Sequence, residues 1–158
     1  MEKGDVPANA GPGTFLMQFD HMGLVVKSVA KGRRVLSEML GVRDWTEEFH
    51  DPVNGVLLQF GRDPAGVVYE LLEPLDETSP VYPALSGGKA ILNHVAYLVS
   101  DLGEAREHMR RSGCAPTSEP KPAVAYDGHN IQFFVTPLRF VIELIEAPNH
   151  QHTYLPSA

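Results

Sequence analysis

The sequence has only one cysteine, Cys114, among its 158 residues, so no disulfide can form within the chain. Such cysteine usage is typical of proteins in a reducing compartment. No apolar run comes near the roughly 20 residues that a membrane-spanning helix needs. The N-terminal residues, rich in Gly, Pro, Ala and charge, are interpreted as a flexible tail at 1–17 rather than a signal peptide. We therefore expect a cytoplasmic protein with no membrane partner.

Basic residues are also few. The chain has 13 Lys and Arg against 20 Asp and Glu, for a formal net charge of −7, and the basic residues are scattered. Nucleic-acid binding needs clustered positive charge, so no nucleic-acid partner is expected. Hydrophobic residues make up 43% of the chain, which suits one packed globular domain or two half-size modules that share a core.

What the sequence does contain is an internal repeat with an offset of 73 residues. Residues 19–26 align with 92–99, and residues 68–73 align with 141–146. The repeat duplicates one imidazole and one carboxylate: His21 and Glu70 in the first copy, His94 and Glu143 in the second. Two modules packed about a pseudo-twofold axis would bring these four side chains into one N2O2 metal site.

Hydrophobic periodicity and turn residues predict the same element order, βαβββ, in each copy, and hence an α+β fold. In the first copy, Ser28 is the predicted N-cap and Gly41 the terminator of the helix; in the second, Asp101 and Gly113 have these roles. The predicted strands are 18–27, 43–49, 55–61, 66–73, 91–100, 115–119, 130–136 and 139–147. The predicted organisation is a single domain at 18–148, with module one at 18–74, a linker at 75–90, module two at 91–148, and a polar, loose tail at 149–158.

The two glutamates are the most informative residues because a carboxylate inside an apolar strand is costly to bury unless it is paired or bound to a cation. The alternative is that Glu70 and Glu143 face solvent while Leu71 and Leu144 face the core. The recurrence of a His and a Glu at the same spacing in both copies favours metal ligation. The remaining histidines are interpreted as solvated: His50, His108, His129, His150 and His152.

On these motifs the chain resembles the vicinal oxygen chelate superfamily, and within it the methylmalonyl-CoA epimerases. The matching segments are Phe19–Val26, Tyr69–Pro80, Asn93–Ala96 and Val141–Leu144. The resemblance implies that the paired modules curl into an incomplete β-barrel around one divalent metal, held by His21, Glu70, His94 and Glu143. Hard oxygen donors mixed with imidazole suit Co, Ni, Zn, Mn or Mg.

The resemblance also implies a reaction. We expect an isomerase or epimerase that removes a proton next to a metal-bound carbonyl, with Glu143 as the base and Glu70 as its symmetric counterpart. The expected partners are a small-molecule substrate, such as an acyl-CoA or a thiol adduct, and a second copy of the chain in a homodimer. Leu58 stands where some epimerases have a further carboxylate, and residues 135–140 differ from the loop usual in that family.

Three other functions are compatible with the pattern. A lyase of the glyoxalase I type has the same order of His, Glu, His and Glu. An extradiol-type dioxygenase expects two histidines and one carboxylate, and Glu70 would fill the position that it leaves open. A non-catalytic binder, like the bleomycin resistance proteins, would sequester a ligand without metal.

Overall fold

The computed structural model describes residues 16–86 and 92–157. Most of the tail predicted at 1–17, and part of the linker predicted at 75–90, lie outside the described residues. No helix within the described ranges has both the length and the apolar character that a membrane span requires.

Both modules have the predicted order of elements, with one extra short strand in each. Module one contains β1 (Gln18–Val25), α1 (Val29–Leu40), β2 (Asp44–Trp45), β3 (Phe49–Asp51), β4 (Val56–Arg62) and β5 (Val68–Pro74). Between the modules lies one helical turn, α2 (Pro83–Ser86). Module two contains β6 (Leu92–Leu98), α3 (Leu102–Arg111), β7 (Ala115–Pro116), β8 (Lys121–Pro122), a 3-10 turn (Val124–Tyr126), β9 (Asn130–Val135) and β10 (Val141–Ile145).

The strands predicted at 43–49 and 115–119 are wrong in extent. The first is divided into β2 and β3, and the second is only the two residues of β7, followed by β8. The division has a local cause at Thr46, whose hydroxyl accepts a hydrogen bond from the Phe60 backbone N–H at 3.1 Å. The Thr46 hydroxyl takes the place of a backbone carbonyl as the hydrogen-bond acceptor between the strands. Strand propensity does not predict a side-chain contact of this kind.

The strands of the described residues form one mixed sheet in the order β2-β4-β5-β1-β6-β10-β9-β7, with β3 beside β4 and β8 beside β9. β1 and β6 pair antiparallel at its centre and join the two modules. β5 runs parallel to β1, and β10 runs parallel to β6. The ends β2 and β7 do not pair, so the α+β fold is an incomplete barrel of two repeated modules, as predicted.

Apolar side chains fill both faces of this sheet. Leu71 packs under α1 on the outer face, and Leu144 packs under α3. The inner face holds a cluster to which both modules contribute, including Phe60, Ile131 and Ile145. Each fully buried side chain of this kind contributes about 1.5–3 kcal/mol. Because alternate residues of a strand point to opposite faces, Glu70 and Glu143 lie on the inner face, between the modules.

The predicted helix boundaries are confirmed. Ser28 Oγ accepts a hydrogen bond from the Lys31 N–H, and Gly41 ends α1 with φ of 69°. Asp101 Oδ1 accepts from the Glu104 N–H at 2.8 Å, and Gly113 follows the end of α3 with φ of 83°. Ser and Asp side chains satisfy backbone donors that a helix start leaves free, and glycine adopts the left-handed conformation at little cost.

A second repeated contact ties each helix to the sheet. Glu73, near the end of β5, accepts a hydrogen bond from the Val29 N–H at 2.8 Å, and Glu146, just after β10, accepts from the Leu102 N–H at 2.5 Å. Both pairs bridge 44 residues and obey the offset of the repeat. A carboxylate at a helix N-terminus satisfies a free donor and interacts favourably with the helix dipole.

Replacing Glu146 by Ala should lower the free energy of unfolding by about 1–2 kcal/mol, because the first N–H of α3 loses its charged acceptor. Urea denaturation measures this change. Glu107→Ala, on the exposed face of the same helix, is the matched control, since its ion pair with Arg110 is solvated and should contribute little to stability. Equal losses in the two variants would contradict this role of Glu146.

Candidate metal centre

Four neighbouring strands each deliver one predicted ligand to the inner face: His21 on β1, Glu70 on β5, His94 on β6 and Glu143 on β10. Their exposed fractions are 0%, 5%, 2% and 3%. The ligand atoms of the four side chains all lie within 4.8 Å of one another. The alternative in which the two glutamates face solvent is therefore wrong.

The arrangement has the near symmetry that the repeat predicts. His21 Nε2 lies 3.0 Å from Glu70 Oε2 and 3.3 Å from Glu143 Oε2. His94 Nε2 lies 2.9 Å from Glu143 Oε2 and 3.2 Å from Glu70 Oε2. The two Nε2 atoms are 3.1 Å apart.

The residue before each histidine holds the other ring nitrogen. His21 Nδ1 lies 2.7 Å from Asp20 Oδ2, and His94 Nδ1 lies 2.9 Å from Asn93 Oδ1. Since these oxygens accept hydrogen bonds, each Nδ1 is the donor and each Nε2 carries a lone pair toward the cluster. Asp20 and Asn93 were not predicted as site residues, although they also obey the offset of 73.

The four residues fit a divalent cation. Two imidazole lone pairs and two carboxylate oxygens converge, and Glu70 Oε2 and Glu143 Oε2 have no hydrogen-bond donor. Separations of 2.9–3.3 Å are those of neighbouring ligands about 2.1 Å from a shared ion. Two carboxylates and two neutral imidazoles together carry the charge that one divalent ion balances.

The electrostatics of the cluster favour positive charge. Burial disfavours the charged imidazole of His21, but the Glu70 and Asp20 carboxylates raise its pKa well above the ordinary value. At His94 burial is likewise outweighed, chiefly by Glu143, and the pKa is raised. Burial also opposes ionisation of Glu70, yet His21 and His94 lower its pKa to about 2. Protons and a metal ion would thus compete for the same lone pairs.

Gly23 leaves the space that the His94 imidazole occupies. The two residues are directly opposite in the β1 and β6 pairing, and a Cβ on Gly23 would lie 2.1 Å from His94 Cε1. Gly23→Ala should therefore displace the imidazole and weaken divalent-metal binding about tenfold or more, as loss of a supporting contact does elsewhere. Equilibrium dialysis with Co²⁺ measures this. Gly103→Ala, on the exposed side of α3, should bind as the unsubstituted protein does, and equal affinity in Gly23→Ala would contradict this role.

The C-terminal residues were predicted to be a loose tail with solvated histidines, and for His152 this is wrong. Its side chain is only 7% exposed, and Nε2 lies 3.0 Å from Asp20 Oδ2. Its ring packs 4.2 Å from that of Phe60, and the His150 ring lies 4.5 Å from that of Tyr126. His152 lies beyond the repeat and has no counterpart in module one, so no pattern in the sequence indicates its position. His50 and His129 are exposed, as predicted.

A cavity opens beside the cluster, and Glu70, His94 and Glu143 line it. Its apolar walls are Val56, Leu72, Val81, Ala123, Ile131 and Phe133. Lys121 is the one lysine or arginine among the described residues that line it. His21 does not line the cavity. A small molecule in this space would therefore meet three of the four cluster side chains, with His21 behind them.

Residues 20–133 match the model of the Glyoxalase/Bleomycin resistance protein/Dioxygenase superfamily. This match includes His21, Glu70 and His94, whereas Glu143 lies beyond its end. No curated protein matches the sequence significantly.

Solved structures with the same fold include a hypothetical protein from Bacillus halodurans C-125, with a TM-score of 0.71 at 23% identity over 87% of this chain and 99% of that one. Methylmalonyl-CoA epimerase from Mycobacterium tuberculosis gives 0.68 at 23% identity, covering 81% and 86% of the two chains. A Streptomyces coelicolor methylmalonyl-CoA epimerase variant in complex with 2-nitronate-propionyl-CoA gives 0.68 at 21% identity, covering 82% and 96%. At such identities the likeness concerns the fold alone.

Proposed function

The chain belongs to the Glyoxalase/Bleomycin resistance protein/Dioxygenase superfamily, and from this premise we propose that it is a divalent-metal-dependent enzyme that removes a proton next to a substrate carbonyl. The observation that carries the proposal is the buried cluster beside a cavity, in which two fixed lone pairs and two carboxylate oxygens without donors converge. Epimerisation or isomerisation, in which the proton returns to the same or a neighbouring carbon, is the first reaction to test.

In this proposal His21, Glu70, His94 and Glu143 hold the metal, which is Co, Ni, Zn, Mn or Mg. Such an ion, when bound, polarises a carbonyl oxygen and acidifies the adjacent C–H. Asp20 and Asn93 keep each Nδ1 protonated, so that both Nε2 lone pairs stay available. The apolar walls of the cavity exclude water and make the charges of the site more effective.

Glu143 is the proposed base. It lines the cavity, so its carboxylate can reach a proton on a molecule held there. Glu70 also lines the cavity and, as the counterpart of Glu143 in the repeat, is proposed to act as a metal ligand. Glu143 can then return the proton to carbon in the second half of the reaction.

A lyase of the glyoxalase I type is the second candidate, and Leu58 favours it. This residue lies on β4 directly opposite Leu72, a wall of the cavity, and is 4% exposed. The position where some epimerases have a further carboxylate is therefore apolar, and Glu70 is the second carboxylate that reaches the cluster. Two glutamates of similar placement suit a reaction in which one removes the proton and the other returns it.

The proposed substrate is a small molecule with an apolar body and a carbonyl group. The walls of the cavity are mostly apolar, and beyond the metal cluster its charged lining residues are Lys121, Asp51 and Glu119. Acyl-CoA thioesters are natural first tests because a structural relative was solved with 2-nitronate-propionyl-CoA. Thiol adducts of 2-oxoaldehydes are the corresponding tests of the second candidate.

Proton exchange in deuterated water tests the proposal even when the product has not been identified. Metal-loaded protein is incubated with a panel of acyl-CoA thioesters and 2-oxoaldehyde thiol adducts, and deuterium at the carbon next to the carbonyl is followed by mass spectrometry. Exchange that disappears on chelation and returns with metal is expected for at least one compound class. Exchange that is indifferent to chelation would contradict a metal-dependent proton abstraction.

A further inference from the structure

From the contacts of the C-terminal residues we infer that residues 148–155, here called the C-terminal strap, form a wall of the metal centre, and that His152 is a positioning residue for His21. This inference rests on the proposed metal centre and adds a part to it that lies outside the repeated modules. His152 acts through Asp20, which holds the ring of His21.

The first observation is the crowding of donors at one oxygen. Asp20 Oδ2 accepts from His21 Nδ1 at 2.7 Å, from the Tyr126 hydroxyl at 2.6 Å and from His152 Nε2 at 3.0 Å. These donors come from β1, from the 3-10 turn of module two and from the strap. Together they fix the direction of the Asp20 carboxylate, and with it the orientation of the His21 imidazole.

The second observation is that the strap is fastened to module one just beyond the position that His152 requires. Tyr154 forms a β-bridge with Thr46, and the Leu155 N–H donates to the Trp45 carbonyl at 2.7 Å. The Arg62 guanidinium lies 4.4 Å above the ring of Tyr154. The His152 side chain is thus held by the backbone that follows it and by the Phe60 ring, rather than by Asp20 alone.

The third observation is where the strap lies relative to the cavity. His21 does not line the cavity, and the rings of Phe60, Tyr126 and His152 lie beside it, at 5.2, 6.5 and 6.5 Å. His152 packs on Phe60, and His150 packs on Tyr126. The strap therefore covers the aromatic shell of His21, whereas a substrate would approach from the cavity.

The two histidines of the centre consequently have different supports. His94 is held by the neutral amide of Asn93, and His21 is held by a carboxylate that receives two further hydrogen bonds. A charged acceptor at Nδ1 makes an imidazole a stronger ligand through Nε2. Loss of the His152 contact should leave the Asp20 carboxylate less firmly oriented and so weaken metal binding, although His152 is not one of the four proposed ligands.

The test uses the full chain, Co²⁺ as the probe, and three variants. His152→Phe keeps a ring against Phe60 and removes the donor to Asp20. His152→Gln keeps an N–H donor at a similar reach. His150→Phe is the matched control, since it alters the neighbouring ring of the strap and leaves the Asp20 contacts in place. The readouts are the Co²⁺ dissociation constant, the visible absorption bands of bound Co²⁺, and the unfolding temperature of the metal-free protein.

We expect His152→Phe to weaken Co²⁺ binding about 10- to 100-fold and to change the Co²⁺ bands, as changes to partners of metal ligands do. His152→Gln should recover most of the affinity, and His150→Phe should bind as the unsubstituted protein does. Unchanged affinity and bands in His152→Phe would overturn the inference, and so would an equal loss in His150→Phe. If the unsubstituted protein binds no Co²⁺, the proposed metal centre is wrong, and the inference about His152 is wrong with it. If the unsubstituted protein and His152→Phe bind Co²⁺ equally well, only the role of His152 is wrong.

Discussion

Replacing His94 by Ala should abolish stoichiometric binding of a divalent metal. His94 Nε2 lies within 3.2 Å of both glutamate oxygens and 3.1 Å from His21 Nε2, so its loss removes one of two nitrogen donors and opens one side of the cluster. The other three side chains come from different strands and cannot move to replace it. Elemental analysis of protein dialysed against a trace of metal measures the stoichiometry.

His129→Ala is the matched control because His129 is exposed and lies outside the cluster. It should keep one equivalent of metal. A thermal unfolding scan of metal-free His94→Ala establishes that the variant is folded, and His94→Gln provides a second test if the smaller side chain destabilises the core. One full equivalent of metal in folded His94→Ala protein would show that the ion is bound elsewhere.

Replacing Glu143 by Gln should reduce turnover by roughly 100-fold or more, because the amide retains an oxygen for the metal but cannot accept the substrate proton. The metal content should fall much less than turnover. The rate of deuterium incorporation into a substrate found by the exchange screen is the measurement, made at saturating metal so that any loss of affinity is separated from loss of the base.

Glu70→Gln is the control for this experiment because it makes the same chemical change at the symmetric position, which also lines the cavity. A milder loss is expected if Glu70 is only a ligand. Equal losses in the two variants would favour the two-glutamate reaction of the glyoxalase I type. Full activity in Glu143→Gln would exclude Glu143 as the base.

Much of this architecture is predictable from the sequence because the repeat includes strands, in which side chains alternate between the two faces of the sheet. Once His21 and Glu70 are placed in apolar strands, the same offset places His94 and Glu143 on the corresponding faces, and the structure brings all four together. The helices were equally predictable, since Ser28 and Asp101 are N-caps with a local mechanism. Sequence patterns predict a contact well when the residues that make it are close together in the chain, as in these N-caps.

The features that were missed depend on contacts between distant residues. The short strands around Thr46 are set by its hydrogen bond to Phe60, and no propensity scale contains such a contact. His152 reaches Asp20 across 132 residues, and nothing in the polar sequence around it distinguishes a solvated tail from a docked one. Asp20 and Asn93 are a different case, because the repeat aligns them and only their role as acceptors for histidine Nδ1 was overlooked.

The proposed metal centre places one divalent ion among His21, Glu70, His94 and Glu143. Anomalous X-ray diffraction from crystals grown with Co²⁺, with data collected on both sides of the cobalt absorption edge, tests it most directly. One strong anomalous peak per chain is expected, about 2.0–2.3 Å from His21 Nε2, His94 Nε2 and an oxygen of each glutamate. A peak at any other position, or well-ordered density for the four side chains with no peak between them at saturating Co²⁺, would contradict it.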